Sequence, residues 1–155
     1  MKILMVCLGN ICRSPLAEGI MKYHAKRHGL DWQIESAGTS AYHAGEPPHR
    51  LSQKVALEHY IDISAQESRQ FVAEDMDSFD RIYVMDEDIY ADVQTIAGAS
   101  WQPQKTKLLL DELDNIDNRN IPDPWYGGED GYHKVFALID EACKKIIASS
   151  KISVV

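Results

Sequence analysis

Four short runs along the chain have strand character, and apolar residues at helical spacing fill the stretches between them. The first, Ile3-Leu4-Met5-Val6, is continuously apolar. The second, over 32–37, alternates apolar with polar and runs into a turn at Gly38; the third covers 79–85 and the fourth 105–110. Between the first two, 15–28 sets Leu16, Ile20, Met21 and Tyr23 loosely on one helical face, and Gly29 ends it. Residues 49–60 read as a second helix, whose stripe of Leu51, Val55, Ala56 and Leu57 is of the kind that covers a core. Asp86-Glu87-Asp88 places acids where a helix would start, so capping is the expected role of Asp86. Residues 67–77 and 111–120 are charged and loop-like, the former with one helical turn. A last amphipathic helix is expected over 132–147, with Cys143 buried on it beside Ala142 and Ile146.

Strands alternating with helices imply a parallel sheet covered on both faces. The expected architecture is therefore α/β: a four-stranded parallel sheet flanked by helices, flavodoxin- or Rossmann-like, forming a single domain over 1–155. Ligands in such sheets bind beyond the carboxyl ends of the strands. Cys7 sits at that end of the first strand.

Charge narrows the partners. A formal net charge of −8 argues against nucleic acid and acidic membranes, and requires any anion site to generate its attraction locally. No segment approaches the ~20 apolar residues that span a bilayer, and the first run is too short for a signal-peptide core. Three cysteines, an odd number without secreted-scaffold spacing, fit a reduced, cytoplasmic setting. His24 and His28 stand four apart, but no acid lies between them as in a zinc-protease helix and no third ligand suggests itself, so they read as surface helix residues. His43 and His49 show no ligand pattern either, and neither a metal nor a cofactor is expected.

The stretch that carries chemistry is Cys7-Leu8-Gly9-Asn10-Ile11-Cys12-Arg13-Ser14-Pro15, lying between the first strand and the first helix. Gly9 takes positive φ without steric cost and Asn10 tolerates it, so the turn can curl its N–H groups inward around an anion. Ser14 is a preferred N-cap and Pro15 suits the first helical position. A helix N-terminus and a nearby arginine both stabilise a thiolate, and the Ser14 hydroxyl is placed to donate to the sulfur. Arg13 offers a planar fork for two phosphate oxygens. A bare Cys-x5-Arg spacing is weak; strand before, glycine and asparagine within, and Ser-Pro with a helix after make it specific. The competing reading, a buried Cys7 with a solvated Arg13, leaves that context unexplained. Far downstream, Ile121-Pro122-Asp123-Pro124-Trp125-Tyr126-Gly127-Gly128 holds an acid between two prolines. Alone, Asp123 reads as a surface turn residue, Tyr42 as an exposed loop aromatic and Cys12 as a small packing residue.

Over nearly its whole length the chain resembles the low-molecular-weight protein tyrosine phosphatase family. The resemblance rests on Cys7 to Pro15, Ser36-Ala37-Gly38-Thr39, Met85-Asp86-Glu87 and Asp123-Pro124 followed by an aromatic residue and tyrosine. It implies that Cys7 attacks phosphorus to give a cysteinyl-phosphate, while Arg13 and the backbone N–H groups of Leu8, Gly9, Asn10, Ile11, Cys12 and Arg13, supported by Ser14, hold the phosphate. Asp123 would protonate the leaving phenolate and then activate water. It further implies that Tyr42, Trp125 and Tyr126 form the substrate wall, and that Cys12 traps oxidised Cys7 as a disulfide. Trp125 departs from the family, where tyrosine is common, so regulation by phosphorylation at that position is in doubt. The substrate would be a tyrosine-phosphorylated protein, a tyrosine kinase of the same cell among the candidates.

Three other readings compete. Thioredoxin-coupled arsenate reductases share the fold and loop but need two further cysteines, where this chain has only Cys143 beyond the loop. Protein arginine phosphatases of the same family carry threonine where this loop has Ile11. A catalytically silent phosphopeptide-binding module would be free to lose Cys7 or Asp123, and both are present.

Overall fold

The computed structural model describes residues 1–152. β1 (Lys2–Cys7) is central because it is apolar on both sides: Ile3, Leu4, Met5 and Val6 are wholly buried. β2 (Gln33–Gly38) pairs with one edge of it and β3 (Arg81–Val84) with the other, and β4 (Thr106–Leu108) extends β3. Every pairing is parallel and the order is β2-β1-β3-β4.

Pleating sends alternate β1 side chains to opposite faces. Ile3, Met5 and Cys7 join the core under α1 (Arg13–Arg27), α2 (Arg50–Glu58) and α5 (Glu129–Ile152). Leu4 and Val6 join the core under α3 (Asp75–Ser78) and α4 (Glu87–Ala97). The chain leaves β1 toward β2 on one side and β3 lies on the other, so a crevice opens above the carboxyl end of β1, the position such sheets use for ligands. Among the described residues no helix is long and apolar enough to cross a membrane.

Several expected elements shift, each for a physical reason. α1 starts at Arg13, with Cys12 at the N-cap and no side-chain cap; Ser14 lies inside the helix and its hydroxyl turns to the Cys7 sulfur. The apolar face of α1 is loose because the helix is buried from Arg13 through Met21. Gly19 allows this, since a Cβ there would meet Ile63 Cγ2 at 2.5 Å. The fourth strand shortens to three residues because Leu109 and Leu110 turn off the sheet, in a 3-10 turn over Leu109–Glu112, and bury in the α5 core. α5 begins at Glu129, where Glu129 and Asp130 complement the helix dipole. His24 is buried, not exposed as expected: it bonds Asp140 at 2.6 Å and pins α1 to α5.

Candidate active site

The phosphate loop is shaped from outside. The Cys7 carbonyl accepts from Thr39 N–H at 3.0 Å and that of Leu8 from Ser40 N–H at 2.9 Å. The Gly9 carbonyl accepts from Ser68 Oγ at 3.0 Å, Ile11 from His49 N–H at 2.8 Å, and Cys12 from Ser52 Oγ at 3.1 Å. In a trans peptide the N–H points opposite to the C=O. Carbonyls anchored outward therefore aim the N–H groups of Leu8, Gly9, Asn10, Cys12 and Arg13 the other way, toward the concave side of the turn. Asn10 makes the curl, at φ 56. The end of β2 braces it: a Cβ on Gly38 would meet Leu8 O at 2.7 Å, Asn10 N at 2.9 Å and the Gly9 carbonyl carbon at 3.0 Å.

Asn10 also organises the surroundings of Cys7. Its Nδ2 donates to Ser14 Oγ at 2.7 Å and to Ser36 Oγ at 2.9 Å, while its Oδ1 accepts from Arg69 N–H. Ser36 in turn donates to Glu18 at 2.7 Å. Because an amide NH2 only donates, Ser14 keeps its own proton free. The Cys7 sulfur lies 3.0 Å from that hydroxyl, closer than the alternative acceptor Ala37 O at 3.4 Å. The Ser14 hydroxyl is therefore placed to donate to the Cys7 sulfur.

Arg13 is buried with its fork fixed: Nη1 donates to Asp86 Oδ2 at 2.6 Å and to the Ile121 carbonyl at 2.9 Å, and Nη2 stands 3.9 Å from Asp123 Oδ2. Burial works against its charge, but Cys7, Asp86 and Asp123 together hold its pKa above the ordinary value. Asp86 has the capping role expected of it, its Oδ1 accepting from Ile89 N–H at 2.8 Å. Its second role, holding Arg13, was invisible in the sequence because the two residues are 73 positions apart.

Asp123 reaches the same cavity from the loop before α5. Its Oδ1 accepts from Trp125 N–H at 3.0 Å, leaving Oδ2 toward Arg13. Cys7, Leu8, Gly9, Ile11, Cys12 and Arg13 form the floor and sides of a cavity of about 460 Å³. Tyr42, Asp123, Trp125 and Tyr126 line it too, with Tyr42 and Tyr126 largely exposed at its mouth. The cavity thus gathers all the sequence-predicted residues except Asn10 and Ser14, which stand behind it as supports. Cys12 is held as a thiol: burial pushes its pKa up to about 12, although its sulfur lies 3.6 Å from the Tyr132 hydroxyl, which pulls the other way.

Sequence reasoning missed the histidines of the mouth. His43 lines the cavity with its ring 4.7 Å from Tyr42 and 5.5 Å from Trp125, and His49, outside the cavity lining, lies 5.4 Å from Trp125. Both serve as aromatic rings here, a role that a search for ligand spacing does not detect. Among the described residues, Glu58, Glu129 and His133 approach one another as metal ligands would, but they do not line this cavity and Lys54 already pairs with Glu129 at 2.7 Å.

Comparison with known proteins agrees with this geometry. Residues 2–153 match the family described as low molecular weight phosphotyrosine protein phosphatase. The low molecular weight protein-tyrosine-phosphatase YfkJ of Bacillus subtilis is 37% identical, covering 95% of this chain and 94% of its own. The crystal structure of a protein tyrosine phosphatase from Entamoeba histolytica, with Hepes in its active site, superposes with a TM-score of 0.91 at 35% identity, covering 100% of this chain and 99% of that one. DARP, an arginine phosphatase of Drosophila, superposes with a TM-score of 0.90 at 31% identity over 97% and 98% of the two chains. The order of the sheet, the anchored loop after β1 and relatives matched along nearly the full length place this chain in the low molecular weight phosphotyrosine protein phosphatase family.

Proposed function

We propose that the chain hydrolyses the phosphomonoester of tyrosine-phosphorylated proteins, with Cys7 as nucleophile and Asp123 as general acid and base. The enzyme is a protein-tyrosine phosphatase by family, and its substrates are phosphoproteins. The observation that carries the mechanism is the set of outward-anchored carbonyls around Cys7, which turns the loop into an inward ring of N–H donors closed by Arg13. In the first step the Cys7 thiolate attacks phosphorus in line with the leaving oxygen. The S–P bond forms, the P–O bond breaks, and Asp123 gives its proton to the departing phenolate. Arg13 and the ring stabilise the equatorial oxygens throughout. In the second step Asp123 takes a proton from water, whose oxygen attacks phosphorus and returns the thiolate with release of phosphate. All the atoms needed belong to the chain, the substrate and water.

Tyrosine is favoured over arginine by Ile11, a buried aliphatic residue at the cavity, and by the aromatic mouth of Tyr42, Trp125 and Tyr126. Likeness to the Drosophila arginine phosphatase limits what the backbone can decide, so these side chains carry the distinction. A cytoplasmic tyrosine kinase fits as substrate, the three free cysteines suit a reduced compartment, and residues 1–155 act as one catalytic domain. Cys12 serves as the redox partner of Cys7.

The test is hydrolysis of p-nitrophenyl phosphate near pH 5.5 with EDTA, for wild type and Cys7→Ser, followed by phosphotyrosine and phosphoarginine peptides. Turnover by wild type alone, with preference for phosphotyrosine, is expected. A folded, reduced wild type without turnover would sink the mechanism.

A further inference from the structure

The segment that delivers Asp123 has few ties of its own. Ile121 N–H bonds the Met85 carbonyl at 2.9 Å and Gly127 N–H closes the turn on Pro124 at 3.1 Å. Between these points Pro124 is buried, but Trp125 is half-exposed. The indole of Trp125 nevertheless contacts two imidazoles from separate parts of the chain. His43, in the loop after β2, sits at 5.5 Å and 51° to it; His49, at the start of α2, at 5.4 Å and 75°. Such tilted and edge-to-face geometries are favourable for aromatic pairs.

Both imidazoles are themselves fixed. His43 Nδ1 pairs with Glu46 at 2.8 Å, and its ring lies over the phosphate loop so closely that a Cβ on Gly9 would meet Cδ2 at 3.0 Å. His49 Nδ1 accepts from Leu51 N–H at 3.1 Å, capping α2, and its ring stacks on buried Tyr132 at 5.2 Å and 21°. Trp125 passes the constraint on, because its backbone N–H is the donor that holds Asp123 Oδ1 at 3.0 Å.

We propose that His43 and His49 are positioning residues that clamp the Trp125 indole and, through the Trp125 N–H, hold the Asp123 carboxyl where it protonates the leaving oxygen. The inference rests on the reading of Asp123 as the acid. It gives both histidines a defined part in the reaction. It also gives the indole at this position a task beyond lining the substrate wall.

Leaving-group dependence tests it. A phenolate resembling tyrosine, with a pKa of about 10, departs slowly without a proton, whereas p-nitrophenolate departs readily. His43→Gln keeps a partner for Glu46, and His49→Asn keeps a helix cap; both remove the ring. A displacement of about 1 Å in a positioned group can cost on the order of 100-fold, so partial loosening should cost about 10-fold. For His43→Gln/His49→Asn, kcat/KM for phenyl phosphate should fall about 10-fold and that for p-nitrophenyl phosphate less than about 2-fold. His43→Phe, which restores a ring, should recover most of the loss in a His43→Gln comparison. In an Asp123→Asn background the histidine changes should add nothing further. Equal losses on both substrates, or none, overturn the clamp while leaving Asp123 as the acid. Were Asp123→Asn itself to affect both substrates alike, the acid assignment would fail first and the clamp with it. The single variants, measured separately with circular dichroism to confirm the fold, keep the test decisive should the double variant not fold.

Discussion

Replacing Asp86 separates two jobs that one carboxylate does at once. Oδ1 caps α4 through Ile89 N–H, and Oδ2 holds Arg13 Nη1 at 2.6 Å. Losing a cap costs about 1 kcal/mol. A hydrogen bond to a charged group contributes about 1.5–3 kcal/mol, and the Asp86 side chain is 22% exposed, which puts it at the lower end. Asp86→Ala should therefore destabilise the fold by about 2.5 kcal/mol, or roughly 5–10 °C in Tm at 2–4 °C per kcal/mol for a chain of this size. Asp86→Asn can keep its oxygen on Ile89 N–H, but its NH2 then faces the guanidinium, donor against donor. It should retain the cap and lose the ion pair, sitting about 1 kcal/mol above the alanine variant.

Activity should tell the jobs apart more sharply than stability. In either variant Arg13 would keep the Ile121 carbonyl at 2.9 Å and the longer Asp123 contact at 3.9 Å, but would lose its short carboxylate anchor. Its fork would no longer be held square to the phosphate, and kcat/KM should fall about tenfold in both, equivalent to about 1.4 kcal/mol of transition-state stabilisation. Thermal melts and steady-state kinetics on an aryl phosphate read the two effects. Asparagine with wild-type kcat/KM would refute the claim that Asp86 sets the arginine, and alanine as stable as asparagine would refute the cap.

Other changes probe the remaining supports. Gly38→Ala drives a methyl onto Leu8 O and Asn10 N, both backbone atoms that cannot swing aside; it should cost about 1–3 kcal/mol and weaken inhibition by phosphate several-fold, and an unchanged inhibition constant would refute the brace. His49 has its pKa lowered by burial and by neighbouring Arg50, so the folded state binds its proton less readily than the unfolded chain. Its stabilising contribution is therefore present above the ordinary histidine value of about 6.5 and is lost as pH falls through the lower folded value. Urea midpoints for wild type and His49→Asn should converge as pH drops from 7.5 to about 5; parallel curves would count against a neutral capping imidazole. Peroxide treatment followed by mass spectrometry should reveal a Cys7–Cys12 linkage. Its formation should quicken in alkaline buffer, since Cys12 stays a thiol up to a pKa of about 12; no linkage at any pH would remove Cys12 as redox partner.

What the sequence disclosed was local. Gly29 at the end of α1, the acids that open α4 and the alternation in β2 are decided by neighbours a few positions away, and each stands where its pattern put it. The boundary of α1 was misread for the opposite reason. Ser14 has the chemistry of a cap, but an asparagine four residues before it and a thiol seven before it compete for the hydroxyl and win. Periodicity likewise could not know that Leu109 and Leu110 leave the sheet to fill space beside α5.

The loop after β1 shows where local reading stops. Nine residues announce a phosphate site, but the direction of five of its N–H groups is set by Thr39, Ser40, His49, Ser52 and Ser68, which belong to other segments. Of these only Ser68 and Ser52 act through side chains. Thr39, Ser40 and His49 act on the loop through their backbone N–H groups, which any residue but proline supplies, so side-chain identity carries no signal of this contact. A Cys-x5-Arg stretch cut from this scaffold would keep its thiol and its guanidinium and lose its ring of donors. The catalytic property therefore lies in the packing of these segments around the loop, and variants at Ser52 or Ser68 should weaken phosphate binding without touching any atom that meets the substrate.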